Sequence, residues 1–260
     1  MQHLFNKMYL VNMKKRLLLT VLAAVSVLLF QSCKKETDNL NTASIEDYSP
    51  LIVGKYITYR LDSSVMINFG ASMETHSYQV KYLVDAAITD ADNRPSFRIV
   101  RFIKKPSNAW DADATFWATP VSNGLEFVEN NLRYMKLRLP IKDFYTWKGN
   151  THIDTYSINS EVKYLDDWDY TYENVGVPET IGTYNLDSVL TVNHRDEIIG
   201  NPADANSYSE VNYGQEKYAK GIGLVYRKFL HTEYQPPTPG SAGHFADGSY
   251  GVTYTMIDHN

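Results

Sequence analysis

The strongest indication of architecture in this sequence is a series of short alternating segments between turn residues. Asn123-Gly124 is typical of a type I′ hairpin turn, in which both central residues have positive φ angles. Asn130-Asn131 follows as a second pair that tolerates the left-handed region. Around these turns lie Phe116–Val121, Leu125–Glu129 and Leu132–Leu139, for which the sequence predicts an antiparallel three-stranded meander.

The third of these segments alternates well, which places Met135 and Leu137 on one side and Lys136 and Arg138 on the other. Similar patterns predict strands at Tyr56–Leu61, Tyr78–Asp85, Phe97–Lys104, Val189–Val192, Gly223–Phe229 and Val252–Ile257. The mature sequence lacks the pattern of a long, capped amphipathic helix, and Asn206–Lys220 fits a strand as well as a helical turn. We therefore predict a mainly β fold with little helix, an antiparallel meander that forms a curved sheet, an open barrel or a sandwich.

The segment Gln235–Ser249 is rich in proline and glycine and precedes the last predicted strand. A loop of this length without structure of its own is uncommon and is often functional or mobile. Two interpretations stay open for it, a variable exposed connection and a lid or adhesive loop.

A short internal similarity relates two distant parts of the chain. The segment 50–56 (Pro-Leu-Ile-Val-Gly-Lys-Tyr) resembles the segment 139–145 (Leu-Pro-Ile-Lys-Asp-Phe-Tyr), and each precedes an aromatic residue. Two half-size units, 48–138 and 139–260, would explain the similarity. Chance is the simpler interpretation, because the remainder of the two halves does not align.

The N-terminal region has the three parts of a bacterial secretory signal. A basic cluster at 14–16 precedes fourteen uncharged residues, Leu17–Phe30, and the only cysteine of the chain, Cys33, follows. The apolar stretch is shorter than the ~20 residues of a membrane-spanning helix. Met13 followed by Lys-Lys-Arg is a normal opening for such a leader, so we place the true start there.

The residues around Cys33 resemble the lipobox of bacterial lipoproteins, with Phe30 where leucine is usual. The resemblance implies that the Cys33 thiol is lipidated after export, which anchors the protein in a membrane and leaves the mature chain without a free thiol. Leaders of this kind look most like those of Bacteroidota lipoproteins. Lys35-Glu36 is similar to the signal that sends such lipoproteins to the cell surface, so the location is the outer membrane, with the surface and periplasmic leaflets both open.

The domain organisation follows from this leader. Residues 1–32 are the predicted signal peptide, 33–47 the lipidated cysteine and a disordered polar tether, and 48–260 a single antiparallel β domain. The leader holds four of the 25 basic residues and none of the 30 acidic ones, so the mature chain has a formal charge of −9. This acidity argues against nucleic acid as a partner, because binding it requires a basic surface.

Twenty tyrosines are the other signal of composition. Tyrosine favours strands in which one ring face packs and the hydroxyl reaches water, so a β-rich extracytoplasmic protein explains the count. An aromatic platform for sugars or peptides is the functional alternative, with candidates Trp110, Trp117, Trp147 and Trp168.

Motifs for catalysis, cofactors or metals are weak or absent in this sequence. Gly221-Ile222-Gly223 lacks the third glycine and the helix of a nucleotide loop and is better explained as a strand start. Asp166-Asp167-Trp168-Asp169 lacks the central glycine of a calcium loop, and the histidines lack zinc spacing. No Gly-x-Ser-x-Gly elbow occurs. We therefore assign no catalytic, cofactor or metal residue, and Cys33 is the one predicted modification site.

Two segments at the ends of the mature domain carry a family resemblance. Pro50-Leu-x-x-Gly54-x-Tyr56 and Tyr218-Ala-x-Gly-Ile-Gly-Leu-Val225 are similar to segments of an uncharacterised group of Bacteroidota outer-membrane lipoproteins. The resemblance implies architecture and location and transfers no catalytic residue.

The leading hypothesis is a lipid-anchored extracytoplasmic binding or interaction protein without evident catalysis. Its partner would be a small hydrophobic ligand, a glycan or an envelope protein, besides the membrane that holds Cys33. A glycan-processing enzyme or its accessory subunit is the alternative, and it predicts two carboxyl groups about 5–10 Å apart beside a tryptophan. A structural surface protein, the third hypothesis, predicts neither cleft nor cavity.

Overall fold

The computed structural model describes residues 43–260, which are 62% strand and 3% helix. Its elements are α1 (Ile45–Tyr48), β1 (Tyr56–Ile67), β2 (Ser72–Thr89), β3 (Pro95–Lys104), β4 (Trp110–Val121), β5 (Gly124–Glu129), β6 (Leu132–Arg138), β7 (Thr146–Lys148), the 3₁₀ turn η1 (Lys163–Leu165), β8 (Asp169–Ile181), β9 (Tyr184–Gly200), β10 (Ser209–Ala219), β11 (Gly223–Gln235), β12 (His244–Phe245) and β13 (Tyr250–His259). The prediction of a mainly β fold with little helix is confirmed.

One antiparallel sheet contains these strands, and it curls into a nearly closed barrel. The order around it is β6-β5-β4-β3-β2-β1-β13-β11-β10-β9-β8-β7, while β12 pairs with β11 outside this path. The sheet therefore consists of two six-stranded half-barrels, β1 to β6 and β7 to β11 with β13, which meet at two seams. Of the architectures predicted, the open barrel is the one observed.

The predicted meander is present as β4, β5 and β6, and one of its two turns is as predicted. Asn130 and Asn131 form the two-residue loop between the paired residues Glu129 and Leu132. Their φ angles are 51° and 61°, both positive, as a type I′ turn requires. The prediction for Asn123-Gly124 is wrong, because the two-residue loop is Ser122-Asn123 and Gly124 pairs with Val121 in the strand. Glycine is needed there for close approach, since a Cβ would lie 2.5 Å from the Leu137 carbonyl oxygen.

Several ladders contain a β-bulge, and two bulges reorient charged or polar side chains. Leu125 pairs with Leu137 and Glu126 with Met135, so Lys136 is the extra residue on β6. On β9 the extra residue opposite β10 is His194. A bulge breaks strict alternation and redirects a side chain. Lys136 is consequently buried, although simple alternation groups it with Arg138 on the opposite side from Leu137.

The two half-barrels begin with turn segments that make equivalent hydrogen bonds. In the first turn segment (50–55), Gly54 N donates to Val84 O and Val84 N donates to Lys55 O, at 2.8 and 2.9 Å. In the second turn segment (140–145), Phe144 and Tyr145 make the same pair of bonds with Tyr172 on β8. The two turn segments are thus equivalent in hydrogen bonding, with Gly54 matched to Phe144. This register differs by one residue from the sequence similarity, which matches Gly54 to Asp143.

Because successive strands alternate in direction, the connections divide between two ends of the barrel. The N-terminal rim carries residues 43–55, the second turn segment and the β10–β11 turn at 220–222. The opposite rim carries the β1–β2 turn at 68–71, the β5–β6 turn, and the loops 149–168 and 236–249.

The N-terminal segment is folded from Ser44 onward. Ser44 caps α1 through a reciprocal capping box with Asp47, and the side chains of Ile45 and Tyr48 are buried. Gly221 N donates to Asp47 O, which fixes α1 against the β10–β11 turn. The folded body therefore begins before Tyr48, and the tether predicted over 33–47 is too long at its C-terminal end. Residues 1–42, with the predicted signal peptide and Cys33, lie outside the described residues.

The segment Gln235–Ser249 has more structure than the sequence indicates. It contains β12, and Thr238 and Ser241 form a bridge that closes a tight turn. Phe245 N donates to Gly70 O at 2.8 Å, which fixes the segment to the β1–β2 turn. The expectation of a long structureless loop is therefore wrong.

The segment Asn206–Lys220, for which the sequence left a strand and a helical turn open, contains strand β10.

Candidate functional site

The barrel lumen holds a cavity of about 120 Å³ that opens toward the N-terminal rim. Most of its wall is apolar, from the side chains of Leu51, Ile57, Val84, Ile99, Ala118, Leu125, Phe127, Ile222 and Leu224. Ser49, Pro50 and Leu51 lie across its outer end, because the chain there passes from the β10–β11 turn to β2. An apolar space of this size suits a single ring or a short alkyl chain.

The inner end of the cavity is a buried ion network centred on Glu216. Lys136 Nζ lies 2.6 Å from Glu216 Oε1, and Tyr218 donates its hydroxyl to Glu216 Oε2 at 2.7 Å. Arg227 binds both oxygens of Glu129 at 2.7 and 2.9 Å and places its Nε 3.6 Å from Glu216. Two carboxylates and two cations balance one another, so the network brings no net charge into the lumen.

The network holds both carboxylates in the charged form. Burial raises the pKa of Glu216, but the attraction of Lys136 and its other positive neighbours is larger, and the pKa lies well below the usual value. The pKa of Glu129 is also lowered, because Arg227 outweighs the cost of burial. A glycosidase acid needs a raised pKa, whereas the pKa of each of these two carboxylates is lowered.

His194 lies at the edge of this network in a neutral state. Its Nε2 is 3.6 Å from Glu216 Oε2, and its ring stacks on Tyr170 with centroids 3.7 Å apart. Burial lowers the pKa of His194 to about 4, despite the opposing attraction of Glu216. Gly214 makes room for this arrangement, since a Cβ there would lie 2.9 Å from His194 Cβ and 2.8 Å from the ring of Trp168.

The Glu129–Arg227 pair also lines a second, wider space at the opposite rim. That cleft has a volume of about 560 Å³ and is bordered by Tyr134, Tyr164 and Tyr250 and by polar residues of the 149–168 loop. The ion pair thus forms the partition between an apolar lumen and a polar cleft. Both side chains are mostly buried, with 15% of Arg227 and 13% of Glu129 exposed.

The two segments that carry the family resemblance meet at the mouth of the lumen. Pro50, Leu51 and Tyr56 line it from one side, and Tyr218, Gly223 and Leu224 line it from the other. The resemblance connects these segments only with architecture and location, but the same residues also shape the cavity.

The other candidates from the sequence are dispersed. Trp147 and Trp168 are buried core residues, so the four tryptophans do not form an exposed platform. Asp167 and Asp169 form a surface turn near Lys148 Nζ, at 3.6 and 3.3 Å. Between residues 43 and 260, no group of three His, Cys, Asp or Glu side chains is placed to hold a metal ion. No helix in that range is both apolar and long enough to span a membrane.

Sequence reasoning missed the lumen residues for a physical reason. Glu216 and Lys136 are 80 residues apart. Glu216 lies between the polar residues Gln215 and Lys217, and Lys136 alternates with the apolar Met135 and Leu137. A charged residue inside a strand is ordinarily assigned to the solvent face. The one available signal was the density of charged and tyrosine residues in β10, where Glu216, Lys217 and Tyr218 are consecutive.

Comparison with known proteins adds little to this description. No family model and no curated protein matches the chain. A solved structure described as a putative outer membrane lipoprotein-sorting protein domain from Vibrio parahaemolyticus aligns with 80% of this chain and 85% of its own. The identity is 9% and the TM-score 0.19, so this likeness supports no statement about fold or function.

Proposed function

We propose that this protein is a lipid-anchored binding protein of the bacterial outer membrane that holds the apolar part of a small ligand in its barrel lumen. The anchor is Cys33, proposed from the lipobox resemblance. The observation that supports the binding role is the apolar cavity of about 120 Å³, whose charged end is already neutralised by its own ion pairs. Such a site can bury a hydrocarbon group, but it has no unpaired charge with which to bind a charged ligand.

The size of the cavity sets the ligand class and the affinity. Ligand pockets for drug-sized molecules usually have 300–1,000 Å³, whereas an apolar cavity of about 150 Å³ holds one benzene ring. Burial of a methylene contributes about 0.8 kcal/mol, so four to six methylenes contribute about 3–5 kcal/mol. That corresponds to a dissociation constant near the millimolar range for the hydrocarbon group alone. Tighter binding requires contacts outside the lumen.

The test is ligand-observed NMR with toluene and n-hexanol on the wild type and two matched variants. Ala118 is buried on the lumen wall, and Ala112 is exposed on the same strand. We expect Ala118→Leu to fill the cavity and abolish binding, while Ala112→Leu binds like the wild type. Circular dichroism and denaturation establish that both variants are folded. Wild-type affinity in a folded Ala118→Leu variant, or no binding to the wild type, contradicts the proposal.

A further inference from the structure

We propose that the N-terminal rim of the barrel rests on the lipid bilayer, with the two turn segments inserted in its surface and the lumen mouth facing the lipid. This inference rests on the proposed anchor at Cys33 and identifies the membrane as the source of the apolar ligand. It follows from three features of the rim, which are its exposed apolar side chains, the arrangement of the turns around the mouth, and the reach of the chain that leads to Cys33.

At the N-terminal rim, the exposed apolar residues belong to the turn segments. The opposite rim also exposes Phe69, Tyr156 and Ile158, so the choice between the two rims depends on the reach of the chain from Cys33. Ile52 and Val53 in the first turn segment are 64% and 52% exposed, and Phe144 in the second is 81% exposed. Phe144 has a φ angle of 63°, a conformation that is unfavourable for a residue with a side chain, whereas its equivalent in the first segment is Gly54. The folded body leaves the strained Phe144 ring exposed to solvent, but an apolar surface that covers this ring would bury it.

The positions of the two turns fit a flat apolar partner. The first precedes β1 and the second precedes β7, and these strands are six positions apart in a circuit of twelve. The turns therefore lie on opposite sides of the rim. Ser49, Pro50 and Leu51, continuous with the first turn, lie across the lumen mouth between them. If both turns insert, the barrel axis is steeply inclined to the bilayer surface and the lumen mouth faces the lipid.

The length of chain between Cys33 and the barrel supports the same orientation. The chain leaves the described body at Ala43 on the N-terminal rim, ten residues after Cys33. Ten residues reach at most about 35 Å when fully extended. β1 alone has twelve residues, so at the usual strand tilt the barrel is roughly 30 Å tall. Contact through the opposite rim would require a nearly fully extended chain along the barrel wall.

Charge determines the kind of lipid surface. The rim carries basic and acidic residues in equal number near the turns, namely Lys55, Lys142, Lys220, Glu46, Asp47 and Asp143. Attraction to anionic lipid needs an excess of lysine and arginine. The rim lacks such an excess among these residues, so we assign insertion to apolar burial in a zwitterionic surface, insensitive to salt.

The test places a fluorophore on either rim of the full chain, exported and processed so that lipidation consumes the Cys33 thiol. Cysteine is introduced by Val53→Cys or Phe144→Cys, and by Phe69→Cys as the matched control. Phe69 is fully exposed with a φ angle of 57°, but it lies in the β1–β2 turn of the opposite rim. Each variant carries an environment-sensitive label and is reconstituted in phosphatidylcholine vesicles with or without a nitroxide-labelled phospholipid.

We expect several-fold stronger quenching and a blue shift at positions 53 and 144 than at position 69, unchanged between low and high salt. Equal quenching at all three positions, or stronger quenching at position 69, overturns the orientation. Flotation of the same samples, with Cys33→Ser as the unanchored control, separates the two proposals. A wild-type chain that fails to float contradicts the anchor, whereas a chain that floats with unquenched labels at 53 and 144 contradicts only the orientation.

Discussion

The two seams at which the half-barrels meet are closed by different means. At the β1–β13 seam, the backbones pair in a ladder that runs from Ile57 opposite His259 to Ser64 opposite Gly251. At the β6–β7 seam, β7 has only three residues, and the backbone contact is a single bond from Met135 N to Gly149 O at 2.8 Å. Here aromatic side chains supply the missing hydrogen bonds.

Two aromatic residues of the second half act on the backbone of β6. Trp147 donates its indole N–H to Met135 O at 2.7 Å. The Tyr172 hydroxyl accepts from Arg138 N and donates to Arg138 O, at 2.8 and 2.9 Å. The two rings are also in contact, with centroids 4.5 Å apart. A strand can thus be shortened without opening the barrel if buried aromatic residues satisfy the neighbouring edge.

The largest effect should come from truncating Trp147. Trp147→Ala removes a buried ring and leaves Met135 O without its donor, and we expect a loss of about 4 kcal/mol in the free energy of unfolding. Hydrogen exchange should show lost protection at Met135 and Arg138, with the β1–β13 ladder retained. Chemical denaturation measures the total. Trp117→Ala, on the exposed face of β4, is the control and should cost less than about 1 kcal/mol.

A nearly uniform loss of protection around the whole barrel in Trp147→Ala would contradict the comparison. It would mean that the two seams open together and that the β6–β7 seam is not the weaker one.

The next largest effect is a pH dependence of the free energy of unfolding that originates beside the β6–β7 seam. Trp147 packs edge-on against Tyr170, which stacks on His194, so one series of rings connects the β6–β7 seam to Glu216. The pKa of His194 is about 4 in the folded protein, below its ordinary value near 6.5. Below pH 6.5 the unfolded chain therefore gains a proton that the folded chain does not, and stability falls until about pH 4.

We expect this histidine to account for about 3 kcal/mol of lost stability between pH 6.5 and pH 4. Denaturation at a series of pH values should show a shallower slope in His194→Gln over that interval. His76→Gln, an exposed substitution on β2, should keep the wild-type slope. An identical slope in the wild type and His194→Gln would show that His194 titrates normally and that the ring series does not exclude its proton.

The sequence predicts the first half of the barrel better than the seams. In the first half, strands end at turns with recognisable residues, and Asn130-Asn131 indicates the position of its turn and the left-handed backbone there. β7 is three residues long, and β8 contains interruptions in its pairing, so neither has a regular alternating pattern. The closure of the barrel depends on contacts such as Trp147 with Met135, which no local pattern encodes.

The candidate site was less predictable still. Lys136 and His194 face Glu216 because each is the extra residue of a bulge, and a bulge is set by the register of two strands together. Alternation within one strand assigns such residues to the wrong face. The resemblance segments lie at the mouth of the lumen, where Pro50 and Gly223 both line it, but the sequence indicated neither the mouth nor the ion network.

The smallest effect compares the two seams through one tyrosine hydroxyl that bonds across each of them. Tyr172→Phe removes two hydrogen bonds to Arg138 and leaves the partly buried N–H and C=O of Arg138 unpaired, which should cost about 2 kcal/mol. Tyr56→Phe removes an exposed bond to Asp258 at 3.1 Å across the β1–β13 seam. Its effect should be below about 0.5 kcal/mol, since water replaces that partner and the ladder persists. Denaturation of both variants and exchange at the Arg138 amide are the measurements. Equal losses in the two variants would mean that side-chain bonds contribute alike at both seams, and that the β6–β7 seam is held by packing of the rings rather than by their hydrogen bonds.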